Sequence, residues 1–291
     1  MYLTDAVADA LEESEIDYMT DRMKAIRHIE GNPEGIHLAR FGNARLYYSE
    51  TMPWPQFNTV KGLRVEDIQY VDDMITFFRA RNRTCQFEIV PKHAHPLLFK
   101  KLSESGCYQS GFHATLYGAP ERQAACDPEP AEEIRVLPCP EEEMLTYAAI
   151  HCRGTGLGDD GIPYVARNNE VLLKRPGWSF FIAYQEDKAA AAGVMYRQNG
   201  IASLTFAATL PSYRNIGMHA ALLRRRIHEA GLERVPAGCQ PSKLSVAKSS
   251  QYGTRRNEIG LCARNMDVAC IRMGVPALVT LPPGCGMLNN S

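Results

Sequence analysis

Three apolar segments follow one another closely between residues 178 and 209. They cover residues 178–185, 190–197 and 202–209, and short polar connections separate them. Each has the length and the aromatic or β-branched content of a strand, and Asn199-Gly200 is a strong signal for a tight hairpin turn. The three segments therefore predict an antiparallel meander, followed after Pro211 by a helix at about 216–230 that Gly231 ends.

A change of composition near residue 125 divides the chain of 291 residues. The stretch 119–130 loses the periodic apolar pattern and contains Pro120, Pro128 and Pro130, which favour extended, exposed backbone. A chain of this length is typical of two domains at roughly 150 residues each. We therefore predict one lobe at 1–125 and a second at 126–291.

Both lobes mix helices and strands. In the first lobe the periodicity predicts a hairpin at 35–49, helices at 65–80 and 95–104, and strands at 86–90 and 111–117. In the second it predicts strands at 134–137, 243–247 and 277–281, and helices that begin at Glu141, cover about 165–173 and cover 262–273, in addition to the meander and its helix. The predicted fold class is α/β (α+β): a mixed, mainly antiparallel sheet flanked by helices, in two related lobes.

The charge balance argues against two large classes of partner. Lys and Arg number 32 and Asp and Glu 33, so the formal net charge is −1. Such a chain has no strong field to hold nucleic acid or an anionic membrane, and we expect neither as a partner. Residues 1–19 lack the basic and apolar regions of a signal peptide, and no apolar run is long enough to span a bilayer, which predicts a cytoplasmic protein.

The nine cysteines are odd in number and irregularly spaced, and no C-x-x-C pair occurs. They therefore support neither a disulfide framework nor a zinc knuckle. Lys92-His93-Ala94-His95 offers two histidines, but the sequence shows no third ligand nearby. No metal site is expected on these grounds.

The segment between the third meander strand and its helix carries the strongest chemical signal. A strand that ends at Pro211 and turns into a helix leaves backbone N–H groups without partners at the helix start. Together with the helix dipole, Gly217 and the forked cation of Arg214, these N–H groups suit a diphosphate. The pattern predicts a site for a phosphorylated cofactor at the end of a strand.

The segment Leu210-Pro211-Ser212-Tyr213-Arg214-Asn215-Ile216-Gly217-Met218-His219-Ala220-Ala221-Leu222-Leu223 resembles the pyrophosphate loop of the GCN5-related N-acetyltransferases, Q/R-x-x-G-x-G/A. His219 stands where that family has a small residue. The resemblance implies that acetyl-CoA or another acyl-CoA is the co-substrate. It further implies that the backbone of Ala207, Ala208 and Thr209 lines the pantetheine arm. The residues implied to hold the pyrophosphate are Arg214, Asn215, Ile216, Gly217, Met218 and His219. Asn265 is implied to contact the cofactor, and Asn257 is the alternative for that role.

The first lobe looks like a fainter copy of the second. Its residues 58–63 carry no equivalent of the Arg-x-x-Gly loop, so the resemblance implies a tandem protein with one degenerate copy and one acyl-CoA site. The expected reaction is transfer of an acyl group to a primary amine of a small molecule or peptide, by direct attack. A backbone N–H at Thr209 would polarise the thioester, and Glu170 is the candidate water-relayed base.

Several alternatives stay open at this point. The family's usual Tyr acid is missing from residues 261–275, so a catalytically inactive acyl-CoA sensor or partner-binding pseudoenzyme is the second hypothesis. Asp159 and Asp160 could border the amine site or be surface charge. Arg224 could reach a phosphate, whereas Arg225 and Arg226 are expected on a solvated face. The oligomeric state, including a homo-oligomer, is not determined by the sequence.

Overall fold

The computed structural model describes residues 4–118, 134–231, 245–251 and 277–280. These residues form two compact units. The first unit comprises residues 4–115 together with 250–251 and 277–280, and the second comprises the described residues between 116 and 249. The second unit begins at residue 116. The predicted boundary between residues 125 and 126 lies later in the chain, outside the described residues.

The first unit is a sheet with three helices. Its helices are α1 (Asp5–Arg27), α2 (Val71–Arg79) and α3 (Pro96–Glu104), and its first five strands are β1 (His37–Phe41), β2 (Ala44–Tyr48), β3 (Thr59–Lys61), β4 (Gln86–Ile89) and β5 (Tyr108–Leu116). Short 3-10 turns cover Pro55–Phe57, Val65–Tyr70 and Pro91–His93. The hairpin β1–β2 turns at Gly42-Asn43, as predicted.

The second unit contains the predicted meander. Its strands and helices are β6 (Ile134–Pro138), α4 (Met144–Thr155), α5 (Ile162–Leu173), β7 (Trp178–Gln185), β8 (Lys188–Gln198), β9 (Ile201–Thr209), α6 (Met218–Gly231) and β10 (Ser245–Gln251). The sheet order is β10-β9-β8-β7-β6, antiparallel except for the parallel pair β9–β10. The predicted mixed, mainly antiparallel fold flanked by helices is confirmed.

The last described strand, β11 (Ala277–Thr280), differs from its predicted place. It pairs antiparallel with β4 and with β5, so the first unit has the sheet order β1-β2-β3-β4-β11-β5. The sequence analysis placed this strand in the second lobe because it follows that lobe along the chain. Strand pairing between distant segments leaves no local signal in a single sequence, which explains the difference.

Each unit has a core between its sheet and its helices. In the first unit, α2 buries Met74 and Phe78 against Leu46, Val60 and Phe87 of the sheet. In the second, α6 buries Met218 and Leu222 against Phe181, Met195 and Leu204. Burying side chains of this size contributes roughly 1.5–3 kcal/mol each, so these faces fix how α6 and its preceding loop sit on the sheet.

Two elements were missed by the sequence analysis. Helix α1 is 23 residues long and begins with a cap in which the Thr4 side chain accepts a hydrogen bond from the Val7 N–H. Strand β3 is only three residues long and fully buried. The predicted helix at 262–273 lies outside the described residues. Among the helices that the structure describes, none combines the length and apolarity needed to cross a membrane.

Candidate functional site

The C-terminal half of β9 has an open edge in the described structure. The parallel pairing with β10 runs from Ile201↔Ser245 to Leu204↔Lys248, and the pairs described stop there. On its other side β9 stays paired with β8 as far as Thr209↔Ala191. Residues 205–209 therefore present backbone groups along one edge that can pair with an extended ligand.

A β-bulge begins where this edge opens. Ala208 pairs with Ala192 and Thr205 pairs with Val194, so Phe206 and Ala207 lie opposite the single residue Gly193. The backbone φ of Phe206 is +49°, in the left-handed region that a bulky residue rarely adopts. Bulges of this kind bend a strand and are frequent beside functional sites.

The alternation of strand β9 determines which way the Thr209 amide points. The N–H of Leu210 donates to the carbonyl oxygen of Ala190, so the backbone polar groups of Leu210 face β8. Successive residues of a strand direct these groups to opposite edges. The N–H and C=O of Thr209 therefore face the open edge, as an oxyanion donor at this position requires.

The chain after β9 forms an exposed loop that ends in the N-terminus of α6. A 3-10 turn covers Pro211–Tyr213, and Asn215 and Gly217 both have positive φ, +65° and +95°. Among the described residues, no backbone carbonyl accepts a hydrogen bond from the N–H groups of residues 215–218. Such amides, at the positive end of the α6 dipole, are the groups that the sequence analysis expects to hold a diphosphate, and that role stays a prediction.

Gly217 is needed for its backbone conformation and not for its packing. A Cβ built at this position meets only the Cδ1 atom of Ile134, at 3.8 Å. The space in front of the residue is therefore open, but the φ of +95° strains any other side chain. Both properties suit a backbone that a ligand approaches closely.

Arg214 holds the loop in place. Its Nη2 donates to the Gly154 carbonyl oxygen at 2.9 Å, and its Nε donates to the Thr209 carbonyl oxygen at 3.4 Å. The side chain is exposed. In this structure the guanidinium connects the loop to the end of β9 and to the last turn of α4.

Helix α4 lies directly against the bulge. A Cβ at Gly154 would be 2.9 Å from the Ala208 Cβ and 3.2 Å from the Thr209 nitrogen, so only glycine permits this approach. One and two turns earlier in α4, the His151 ring stacks on Tyr147 and meets the Phe206 ring edge-on. Gly154, His151 and the Phe206 bulge were not singled out together by the sequence analysis, because the bulge has no local sequence signal.

The structure brings most of the predicted site residues together. Ala207, Ala208, Thr209 and the loop residues Arg214, Asn215, Ile216, Gly217, Met218 and His219 form one continuous segment. The side chain of Met218 packs in the core, so only its backbone is available to a ligand. Glu170 does not belong to this segment and is exposed on α5. Asn265 and Asn257 lie outside the described residues.

The neighbouring charged residues mostly form ordinary ion pairs. Arg153 donates two hydrogen bonds of 2.8 Å to Asp159 and lowers the pKa of that carboxyl. Arg225 pairs with Glu229 one helical turn away. The prediction of a solvated face is wrong for Arg226, which is 1% exposed because its guanidinium lies against the Gly193 backbone.

The described cysteines are buried free thiols. They are Cys85, Cys107, Cys139 and Cys152. Burial raises the pKa of Cys107 to about 11 and that of Cys139 to about 12, and it also raises the pKa of Cys85 and Cys152. A thiol with a raised pKa is a poor nucleophile at neutral pH, so none of the four is a candidate for covalent catalysis.

Comparison with known proteins gives structural matches only. No family model matches the sequence, and no curated protein matches it. The fold is similar to a GCN5-related N-acetyltransferase from Kribbella flavida, with a TM-score of 0.59, 15% identity, and coverage of 90% of this chain and 95% of that one. It is also similar to a tandem GNAT protein from the clavulanic acid biosynthesis pathway, with a TM-score of 0.57, 13% identity, and coverage of 91% and 88%.

A third solved structure, a GCN5-related N-acetyltransferase from Sphaerobacter thermophilus, aligns with a TM-score of 0.50 and 12% identity over 73% of this chain and 65% of that one. At these identities the matches establish architecture alone. This chain therefore has the fold of the GCN5-related N-acetyltransferases.

Proposed function

We propose that the protein is an acyl-CoA-dependent N-acyltransferase that transfers an acetyl group to a primary amine. One observation carries the proposal: the open edge of β9 at residues 205–209 leads directly into a loop whose amides at 215–218 have no backbone acceptor among the described residues. An extended ligand that carries amides at one end and a diphosphate at the other fits an open strand edge followed by the amides of the loop. Coenzyme A is such a ligand.

Binding follows from the two halves of the site. The amides of the pantetheine arm would pair with the open edge of β9 as an added strand does. The pyrophosphate would lie at the N-terminus of α6, where the amides of residues 215–218 and the helix dipole favour negative charge. The left-handed φ of Asn215 and of Gly217 turns the loop around this position.

Catalysis would depend on the Thr209 amide. The amine nitrogen attacks the thioester carbonyl carbon, negative charge develops on the carbonyl oxygen, and the Thr209 N–H stabilises that oxygen. The C–S bond then breaks and coenzyme A leaves as the thiolate, which takes up a proton. The proton lost by the amine goes to a base through water, for which Glu170 remains the candidate. Placing the two reactants side by side supplies a further large part of the acceleration.

Release of thiol from acetyl-CoA tests the proposal across a panel of primary amines: aliphatic diamines, amino sugars, amino acids and peptides with a free N-terminus. Gly217→Ala is the diagnostic variant because it strains the loop backbone. Gly31→Ala is its matched control, since Gly31 also has positive φ, +74°, and also has open space around it. Each variant forces an alanine to adopt a positive φ, which lowers the stability of the fold by about 1 kcal/mol. Only Gly217→Ala should weaken acetyl-CoA binding, by about tenfold or more.

Three results would distinguish the alternatives. Calorimetry with acetyl-CoA should give one site per chain, and two equivalent sites would contradict the assignment of a single functional copy. Binding without turnover on any amine would favour the acyl-CoA sensor. Failure of coenzyme A to bind, or equal binding by Gly217→Ala and the unaltered chain, would refute the site itself.

A further inference from the structure

Three side chains with metal-binding atoms converge in the first unit, away from the β9 site. Asp9 and Glu12 are one turn apart on α1, and His93 comes from the 3-10 turn Pro91–His93. One ligand atom from each lies within 4.8 Å of those of the other two. The His93 Nε2 is 3.1 Å from the Glu12 Oε2 and 3.9 Å from the Asp9 Oδ1.

These polar atoms are poorly satisfied by the protein. The Glu12 side chain is 8% exposed and the His93 side chain 11%. The Asp9 Oδ1 and the His93 Nε2 are buried, and neither has a hydrogen-bond partner in the part of the chain that the structure describes. Within that same part, the charged groups near the Glu12 carboxylate are the His93 Nε2 at 3.1 Å and the Arg64 Nη2 at 4.0 Å. Buried polar atoms normally have partners, so this arrangement points to a ligand.

The distances between the ligand atoms of Asp9, Glu12 and His93 suit a single bound ion. A tetrahedral ion with ligands at about 2.0–2.2 Å places neighbouring ligand atoms about 3.4 Å apart. The two separations from His93, 3.1 and 3.9 Å, lie on either side of that value. The Asp9 side chain is 47% exposed, so solvent reaches the cluster from that side and can supply a fourth ligand.

We propose that Asp9 Oδ1, Glu12 Oε2 and His93 Nε2 bind a divalent first-row transition-metal ion, with Zn²⁺ as the best fit. One imidazole nitrogen and two carboxylate oxygens are a donor set that suits such ions, whereas Mg²⁺ and Ca²⁺ take oxygen ligands. The sequence analysis found His93 but no third ligand nearby, because the two carboxylates come from the missed helix more than 80 residues away. His95, by contrast, is used to cap α3 through the Leu97 N–H.

The surrounding charges leave the ligand atoms available. Lys92 Nζ lies 2.5 Å from the Asp9 Oδ2, which orients this carboxylate and leaves Oδ1 facing the cluster. Lys92 and Arg64 offset the two carboxylates, so we expect weaker binding than at a structural zinc site.

Titration of the full-length protein with Zn²⁺ by calorimetry tests the site, with Co²⁺ as a spectroscopic probe of the ligands. Glu12→Gln and His93→Gln should each weaken binding by about a hundredfold or more, whereas Glu13→Gln, on the exposed neighbour, should leave it unchanged. Zn²⁺ should also raise the Tm of the unaltered chain and of Glu13→Gln, but not that of the two ligand variants. If circular dichroism shows that Glu12→Gln or His93→Gln is unfolded, Asp9→Asn is tested in its place, because Asp9 is the more exposed ligand.

Equal Zn²⁺ affinity in the ligand variants and the unaltered chain would overturn the proposal. A thiolate-to-cobalt charge-transfer band, unaffected by these variants, would overturn it as well, because it would place the ion on cysteines. The readout is metal binding in the first unit, so neither result depends on whether the second unit binds coenzyme A.

Discussion

The Nη2 atom of Arg214 donates a hydrogen bond of 2.9 Å to the carbonyl oxygen of Gly154. This contact joins the loop before α6 to the last turn of α4. The Nε atom of the same side chain reaches the Thr209 carbonyl oxygen, at 3.4 Å. Arg214 thereby connects the three parts of the proposed acyl-CoA site, and its first effect is to position the loop.

Replacing Arg214 by Met should weaken acetyl-CoA binding by about tenfold. The variant loses both hydrogen bonds that hold the loop, and tenfold corresponds to about 1.4 kcal/mol, a modest value because the side chain is exposed. Calorimetric Kd values and the KM for acetyl-CoA give the measurement. Arg225→Met is the matched control, because Arg225 pairs with Glu229 within α6. Equal losses in the two variants would mean that only net charge matters.

Gly154→Ala tests the close approach of α4 to the bulged strand. The added methyl group would lie 2.9 Å from the Ala208 Cβ, so α4 or β9 must shift. Overpacking of this kind costs about 1–3 kcal/mol, and the shift also moves the Thr209 amide. We expect kcat/KM to fall by more than the loss of folded protein explains. Urea unfolding and acetyl-transfer kinetics measure the two effects separately, and Thr146→Ala, on the exposed side of α4, should change neither.

The parts of the fold that the sequence predicted are those with local signals. The meander β7–β8–β9 shows alternating apolar residues and the Asn199-Gly200 turn, and the structure has strands within two residues of the predicted limits. The loop before α6 was identified because Pro211, Arg214 and Gly217 are close together in sequence. Such features depend on neighbouring residues only, so one sequence contains them.

The parts that escaped prediction depend on contacts between distant residues. Helix α1 buries Glu15 and Arg22, so its inward face does not show a simple apolar pattern. Strand β11 pairs with strands more than 150 residues earlier in the chain. The Phe206 bulge and the burial of Arg226 both involve Gly193, whose role is visible only when β8, β9 and α6 are assembled.

The first unit has a parallel strand pair, β3–β4, that corresponds in order to β9–β10 of the second. The described pairing is Thr59↔Gln86 and Val60↔Phe87, and β3 ends at the next residue, Lys61. Lys61 Nζ lies 2.5 Å from Glu88 and 3.0 Å from Glu15, and all three side chains are buried. A buried ion cluster thus lies at the end of β3, in the unit for which no acyl-CoA site is predicted.

Lys61→Met should lower the free energy of unfolding by about 3–5 kcal/mol, since it leaves two carboxylates buried without their cation. Lys101→Met is the matched control: Lys101 makes an ion pair of the same length, 2.5 Å, with the largely exposed Asp72. Exposed pairs contribute about 0–1 kcal/mol, so the control should change little. Chemical denaturation that follows the first unit measures both. A small effect of Lys61→Met would mean that water or a proton compensates the two carboxylates.

The same reasoning applies to Gly193 and Arg226 in the second unit. A Cβ at residue 193 would lie 3.0 Å from the Arg226 Cζ, and this guanidinium donates to the Val194 carbonyl oxygen at 3.0 Å. Arg226 is 1% exposed, and this burial lowers the pKa of its guanidinium to about 10. The side chain is enclosed and cannot move aside without breaking that bond.

Gly193→Ala should therefore lower the free energy of unfolding by about 2 kcal/mol and reduce acetyl transfer, because Gly193 lies opposite the bulge that directs the Thr209 amide. Gly158→Ala is the control. Its Cβ would come even closer to a neighbour, 2.3 Å from the Asp160 Oδ1, but that carboxylate is exposed and can rotate away. Urea denaturation and thiol-release kinetics measure both variants. If Gly193→Ala were as stable and active as Gly158→Ala, Arg226 would have room to move, and the bulge would not depend on a glycine at this position.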